Sequence, residues 1–412
     1  MSHEPTLPDV SAPLIAIVRF LFRYVAGPLF RVRVEGLENV PTEGGCVLLP
    51  NHHGALDPFW VAQEVPRPVH FMASSNLFRR GWMASALHAV GAFRKEKYVR
   101  DAASTRTVEA LVRAGRVVCL FMEGRRTWDG RMSDPGDGIG HLVARLGVPV
   151  VPVRLETAFH WQPRWARWPR WVPVRLTFLP PMRYDPKQDA RAITDELCSL
   201  VATPASPRID RPSFGFRMAE GLEAYLWACP ACFAVGATGA DPRDRGTFAC
   251  RACGAAWRVG IDASLTGPTG TMSIAAAFDK IMAHFGDPPV EDRAVFAASG
   301  VIASFPGCAL GRLSPSSPRP TPITAGTLVV TARAVEIRGA ATVRWSVPME
   351  SIQAAPMEMG NAVTLRVIDA DGAPQAISVD LGGGAGHRLV TFLRAPLEAA
   401  HRAAGRRPPR LG

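Results

Sequence analysis

His52 and Asp57 stand in an H-x4-D arrangement, and Phe121-Met122-Glu123-Gly124-Arg125-Arg126 begins 69 positions after His52. The first group offers a base and a carboxylate to orient it. A carboxylate on one imidazole nitrogen fixes the tautomer and leaves the other nitrogen free to accept a proton. The second group offers a glycine turn with a carboxylate before it and guanidinium groups after it. Arg126 can bind a phosphate in bidentate fashion, and Gly124 lets the backbone approach a ligand closely. Together they suit chemistry that takes a proton from a hydroxyl while an anionic substrate is held. Each has a plainer reading beside it. Asp57 can be the N-cap of a helix that has Pro58 at its first position, with His52 a polar loop residue. Glu123 and Arg126 can be solvated charges on a surface turn.

The elements that must position these residues are strands. Cys46-Val-Leu-Leu-Pro50 is an apolar run after Gly44-Gly45, and Val117-Val-Cys-Leu-Phe121 is another. Both read as buried strands, with a helix over residues 104–114 and Gly115 at its end. Each chemical group thus lies just past a strand end, where α/β sheets bind ligands.

Two more stretches fall in line: Gly91-Ala-Phe-Arg-Lys-Glu-Lys97 and Val148-Pro-Val-Val-Pro-Val153. With Val32–Pro41 as a lead-in, these four blocks resemble the glycerolipid acyltransferase family typified by 1-acyl-glycerol-3-phosphate acyltransferase, over about residues 11–200. The resemblance implies an α/β fold with a mixed sheet flanked by helices. It implies His52 as general base and Asp57 as its orienting partner. It places Glu123, Gly124, Arg126, Lys97 and Arg94 at the acceptor head group, with Lys95 a rival of the last two. The donor would be an acyl thioester, acyl-CoA or acyl-ACP, and the acceptor a lysophospholipid hydroxyl. The chain departs from the family pattern at Met122, Arg125, Gly54 and Lys97, which bears on which acceptor is used. An acceptor without phosphate is the alternative, and a non-catalytic lipid-binding scaffold is a third reading.

Cys229-Pro-Ala-Cys232 and Cys250-Arg-Ala-Cys253, with 17 residues between the pairs, form a C-x2-C…C-x2-C pattern that predicts a structural zinc ribbon. Four thiolates leave no open coordination position. Cys46 and Cys119 read as small core residues of a reducing compartment, and Cys308 as buried.

The chain has 412 residues, 47% of them hydrophobic, enough for two or three domains with real cores. We expect a membrane-associating helix in 1–30, an acyltransferase domain in 31–205, a linker and ribbon in 206–262, and a helix plus mostly β domain in 263–412. That last region has short alternating strands and a terminal helix, an architecture resembling pleckstrin-homology or GRAM domains. The plainer reading is a β domain that packs against its neighbours. Proline-rich stretches at 203–207, 263–271 and 313–322 read as linkers.

The formal charge of +11 comes almost wholly from Arg, with four Lys, so its distribution matters more than its total. Residues 12–30 are mostly apolar with Arg19 and Arg23 inside the run. Charges there oppose spanning, so an interfacial amphipathic helix is expected, peripheral or monotopic on the cytoplasmic face of the cell membrane, and not a secretory signal. Residues 161–175 hold four Trp, four Arg and no acid. They suit either a loop resting on a bilayer or a segment stacked on the domain itself. The ribbon's mixed-charge loop lacks a basic aromatic platform, so no nucleic acid partner is expected.

Overall fold

The structure is a computed structural model. It describes all residues except 1–6, 80, 97–100, 136–137, 206–208, 210, 269, 288, 315–316, 341, 358–361, 370, 382–384, 410 and 412. Lys97 therefore lies outside the described residues.

The N-terminal half is built on a seven-stranded mixed sheet. Its strands are β1 (Arg33–Glu35), β2 (Cys46–Pro50), β3 (Val69–Ser74), β4 (Phe93–Lys95), β5 (Val117–Cys119), β6 (Val150–Glu156) and β8 (Arg175–Phe178), in the order β1-β8-β6-β2-β5-β3-β4. The short β7 (Arg170–Trp171) pairs instead with β9 (Phe214–Gly215). All pairs in the large sheet are parallel except β6 with β8.

Central β2 shows why a continuous apolar run is needed here. Helices cover both faces, so every residue must be apolar. Cys46 and Leu48 enter one core with Trp60 and Val61 of α3 (Asp57–Glu64). Val47 and Leu49 enter the other, with Leu111 of α5 (Ala102–Arg113), Val143 of α6 (Gly138–Leu146) and Leu197 of α8 (Ala190–Val201). Truncating a fully buried leucine such as Leu48 would cost about 2–5 kcal/mol. Such a loss would reach the site, because β2 feeds directly into His52.

The N-terminal apolar run forms α1 (Ala12–Leu21), then a π-helical turn over Phe22–Ala26 and a short α2 (Gly27–Leu29). The 18 residues are long and apolar enough to cross a membrane by length and composition, and only 6% of them are buried. Arg19 does not face outward. Its guanidinium donates to the Val65 and Arg67 carbonyls at 2.5 and 2.7 Å, at the C-terminal end of α3. Beyond it, Ile17, Phe20, Leu21, Tyr24 and Val25 are exposed, as is Trp82 on α4 (Gly81–Ala89).

The Trp/Arg segment mostly folds inward. Trp161 and Trp165 are buried beside α7 (Ala158–Trp161), and Arg170 is buried with its guanidinium 4.8 Å from the Trp165 ring centre. Burial lowers the Arg170 pKa to about 9. Trp168 alone of the four is strongly exposed. Stacking on the domain is thus the observed arrangement, because the indoles find aromatic and guanidinium partners within the chain.

A five-stranded antiparallel sheet follows: β10 (Thr238–Ala240), β11 (Thr247–Cys250), β12 (Ala256–Val259), β13 (Ser264–Gly267) and β14 (Gly270–Ser273). The last two occupy most of the stretch expected to be a linker at 263–271 and extend this sheet beyond residue 262. After α9 (Ile274–Phe285) and α10 (Arg293–Ser299), a seven-stranded antiparallel sheet forms. It comprises β15 (Val301–Ser314), β16 (Ser317–Thr331), β17 (Ala334–Arg338), β18 (Val343–Pro348), β19 (Ile352–Ala354), β20 (Val363–Ile368) and β21 (Pro374–Asp380). The expected linker at 313–322 is largely strand. Pro320 and Pro322 sit on a part of β16 that pairs only with β15, because β17 pairs no further back than Thr327. Proline is tolerated on such an open edge. The chain ends in α11 (Gly386–Ala403), whose Leu389, Phe392, Leu393 and Leu397 are buried in the core. An α/β core followed by a cysteine cluster and a mostly β region with a terminal helix is the expected class.

Candidate active site

The loop from β2 into α3 carries the first group. Asp57 is the first residue of α3, and Leu56 takes the N-cap position. The capping role expected for Asp57 is therefore not what its side chain does. It turns back into the loop. One carboxylate oxygen, Oδ2, receives His52 Nδ1 at 2.9 Å and the backbone N–H groups of His53 and Gly54 at 2.6 and 2.8 Å. Three donors on one buried oxygen hold the carboxylate still. His52 keeps 19% side-chain exposure against 1% for Asp57, so the imidazole is reachable and the carboxylate is sealed. The imidazole stacks on Phe121, with ring centres 4.1 Å apart.

Of the two adjacent histidines only His52 has this arrangement. His53 is buried, and its Nε2 lies 3.1 Å from Asn51 Nδ2. Burial pushes its pKa down to about 4, despite the pull of Asp57. It is a neutral packing residue. Asn51 fixes the strand end by exchanging hydrogen bonds with the backbone of Leu155 on β6, at 3.1 and 2.8 Å.

The second group meets the first. Glu123 is buried, and its Oε1 accepts the His52 backbone N–H at 3.1 Å while Oε2 accepts that of Ser133 at 2.8 Å. Thr127 N–H donates to the His52 carbonyl at 3.1 Å. Burial pushes the Glu123 carboxyl up to about 7, against the opposing pull of those two N–H groups. Gly124 makes the turn with φ +64°, in open space. Arg126 is half-buried, and its pKa is lowered by burial and raised by nearby Asp57. Among the described residues its guanidinium has no hydrogen-bond or ion-pair partner.

These residues line a cleft of about 2970 Å³. His52, Glu123, Gly124 and Arg126 all face it. Alternation along β4 separates the two cations there. Lys95 lines the cleft, while Arg94 is exposed, does not line it, and lies with its guanidinium 5.6 Å from the Phe78 ring centre. The cleft wall running toward α1 is apolar, with Val18, Phe59, Phe71, Met83 and Leu87.

Residues 31–156 match the family model described as Acyltransferase. This stretch is similar to acyltransferase domains. The chain is 31% identical over 132 residues to the chloroplastic 1-acyl-sn-glycerol-3-phosphate acyltransferase BAT2 of Brassica napus, covering 31% of this chain and 38% of that one. It is 31% identical over 127 residues to the 1-acyl-sn-glycerol-3-phosphate acyltransferase of Bacillus subtilis (strain 168), covering 30% of this chain and 62% of that one. The matches thus span about 38% and 62% of these relatives' lengths. A solved structure of the 1-acyl-sn-glycerophosphate acyltransferase PlsC from Thermotoga maritima aligns with TM-score 0.38 and 20% identity, over 45% of this chain and 77% of that one.

Outside residues 31–156, the four predicted cysteine ligands come together. Cys229, Cys232, Cys250 and Cys253 have all their sulfurs within 4.8 Å of one another. The Cys229–Cys253 and Cys232–Cys250 distances are each 3.8 Å. A tetrahedron with Zn–S bonds of about 2.3 Å has edges of about 3.8 Å, so the donor set fits that metal. The Ala231 and Cys232 N–H groups point at the Cys229 sulfur, at 3.3 and 3.5 Å, as a metal-binding knuckle would.

Sequence reasoning did not find the contacts that brace the site from afar: Ser133 on Glu123, Leu155 on Asn51, and the arginines of the C-terminal side. No local signal marks them. They become neighbours only when the sheet and the docked domains assemble.

Proposed function

We propose that this protein moves a fatty acyl group from an acyl thioester, acyl-CoA or acyl-ACP, to the hydroxyl of a lysophospholipid such as 1-acylglycerol-3-phosphate. The observation that carries the reading is the His52–Asp57 pair, 2.9 Å apart, sealed on the Asp57 side and open to the cleft on the His52 side. Asp57 holds Nδ1 protonated, so Nε2 accepts the hydroxyl proton. The alkoxide attacks the thioester carbonyl and forms a tetrahedral oxyanion. Collapse expels the thiolate, which takes the proton from the imidazolium. Base catalysis of this kind supplies about 10²–10⁴-fold, and positioning supplies much of the rest. Arg126 holds the acceptor phosphate, with Lys95 on the same cleft and Lys97 assigned there by resemblance. Glu123 acts by fixing the backbone of His52. The apolar wall toward α1 accommodates an acyl chain.

The exposed apolar side of α1 rests in the membrane interface, which makes the protein peripheral or monotopic on the cytoplasmic face. The four cysteines bind a structural zinc ion. An acceptor without phosphate is the second reading, favoured by the departures from the family pattern at Met122 and Arg125. The test is acyl transfer by wild type and His52→Ala over phosphorylated and unphosphorylated lysolipids. Turnover undiminished in the variant rejects the mechanism, and transfer to unphosphorylated acceptors alone rejects the phosphate role of Arg126.

A further inference from the structure

The C-terminal region forms part of the same cleft. Four contacts dock it around the rim. Arg366 pairs with Glu96 at 2.6 Å, and Arg131 makes a bidentate pair with Asp279 at 2.8 and 3.0 Å. Arg125 donates to the Leu411 carbonyl at 2.7 Å, and Arg164 to that of Met357 at 3.5 Å. Arg164 also donates to the Arg126 carbonyl at 3.4 Å, and the next residue, Thr127, is bonded to His52. The rim and the base are therefore two steps apart.

Helix α11 presents one polar face to this cleft. His387, Val390, Thr391, Arg394 and Glu398 line it, at the spacing of one helical face. The opposite face is the buried Leu389/Phe392/Leu393/Leu397 stripe. His387 lies at the first turn of this 18-residue helix, where the helix dipole is positive. Its Nδ1 is buried without a hydrogen-bond partner. Burial, then the charges of Arg164, Arg125 and Arg394, hold its imidazole well below the usual range and therefore neutral. The acids nearby are already engaged: Glu398 pairs with Arg402 at 2.9 Å, and Asp129 with Arg131 and with Tyr225 at 2.7 Å. Arg125, Arg164 and Arg394 thus line one cleft with His387, whose imidazole the charges of all three reach and whose Nδ1 is unpartnered at the first turn of α11.

We propose that this junction is a phosphate-ester site, made jointly by Arg125 and Arg164 of the acyltransferase side and Arg394 of α11. Its ligand is the phosphate-bearing end of a coenzyme A-type acyl donor. The donor is assigned here, and not the acceptor, from the cleft's polarity. A lysolipid is held in the bilayer and enters where the cleft reaches the apolar α1 and α4. The cationic rim lies on the part built by the C-terminal region and suits a soluble polyanion. The assignment rests on the acyltransferase reading above for its ligand, yet its test does not require turnover.

Binding to the full-length protein is measured calorimetrically with coenzyme A, its 3′-dephospho form, pantetheine and glycerol 3-phosphate. Coenzyme A should bind about tenfold or more tightly than pantetheine, with an affinity that falls as salt rises. Arg394→Ala should lose about tenfold for coenzyme A, Arg394→Lys should recover most of it, and neither should change glycerol 3-phosphate binding. In turnover, Arg394→Ala should raise the KM for acyl-CoA with kcat nearly unchanged. Equal affinity for pantetheine and coenzyme A overturns the site without any variant. Loss of glycerol 3-phosphate binding in place of coenzyme A overturns the donor assignment. A chain that binds coenzyme A through Arg394 but transfers no acyl group upholds this site and removes the function proposed above.

Discussion

The backbone N–H of His52 donates to Oε1 of Glu123 at 3.1 Å, joining two groups 71 residues apart in the chain. Glu123 thereby braces the backbone of His52. Its second oxygen is taken by Ser133 N–H. Glu123→Gln keeps one acceptor and turns an NH₂ toward one of these N–H groups. A buried N–H left unsatisfied costs about 1–3 kcal/mol, so the variant should unfold at lower denaturant concentration and show reduced kcat. A variant with wild-type stability and kcat would remove the bracing role.

Asp57→Asn tests the orienting carboxylate separately from the base. The amide cannot stabilise an imidazolium and can reverse the tautomer of His52. Both His52→Ala and Asp57→Asn should lose about 10²–10⁴-fold in kcat, with KM for the acceptor little changed. Double substitution should cost scarcely more than His52→Ala alone, because the two act as a unit. Additive losses in the measured kinetics would place them in different steps.

His53 and His160 make stability depend on pH. Both are buried and neutral, with pKa values lowered from 6.5 to about 4 and about 3. The unfolded chain takes up these protons first as pH falls. The stability they contribute is therefore complete above about 6.5 and is lost as pH falls through about 4 and then about 3. Between those limits each should give a slope of about 1.4 kcal/mol per pH unit. Glu123 runs the other way: its raised pKa adds stability below about 4.5 that is lost as pH rises through about 7. Denaturant midpoints of wild type and His53→Gln across pH 4–6.5 measure the difference, and parallel curves would contradict the assignment.

The cysteine cluster predicts one zinc ion per chain. Replacing Cys232 with Ser should abolish stoichiometric zinc and lower the melting temperature. The loss should extend beyond the small sheet, because Trp227 beside the first knuckle packs on Phe285 and Phe392, with ring centres 5.0 and 5.1 Å away. Elemental analysis of reduced, unchelated protein showing a zinc ratio near zero would sink this.

The chain's own order of residues determined a good deal. The apolar runs at Cys46–Pro50 and Val117–Phe121 read as buried strands, the second of which ends at Cys119 in the structure, and what followed them was expected at a sheet end. That put His52 and Glu123 each at a strand end, where ligands bind, and the C-x2-C pairs predicted four converging thiols. Local spacing carries such facts because a strand or a knuckle is a local object. What the sequence did not decide was where side chains point once elements pack. Arg94 and Lys95 differ only by β4 alternation, and the direction of that strand's faces is set by its neighbour β3. Arg19 looked like a charge in a membrane helix until the end of α3 supplied three carbonyls for it. The tryptophan-rich segment had no reason in its own composition to fold inward. Arg170 stacks on Trp165 within the segment, but Phe30 and Trp60, which pack on Trp161, lie far away in the chain, and long-range packing energy is written in no single stretch of sequence.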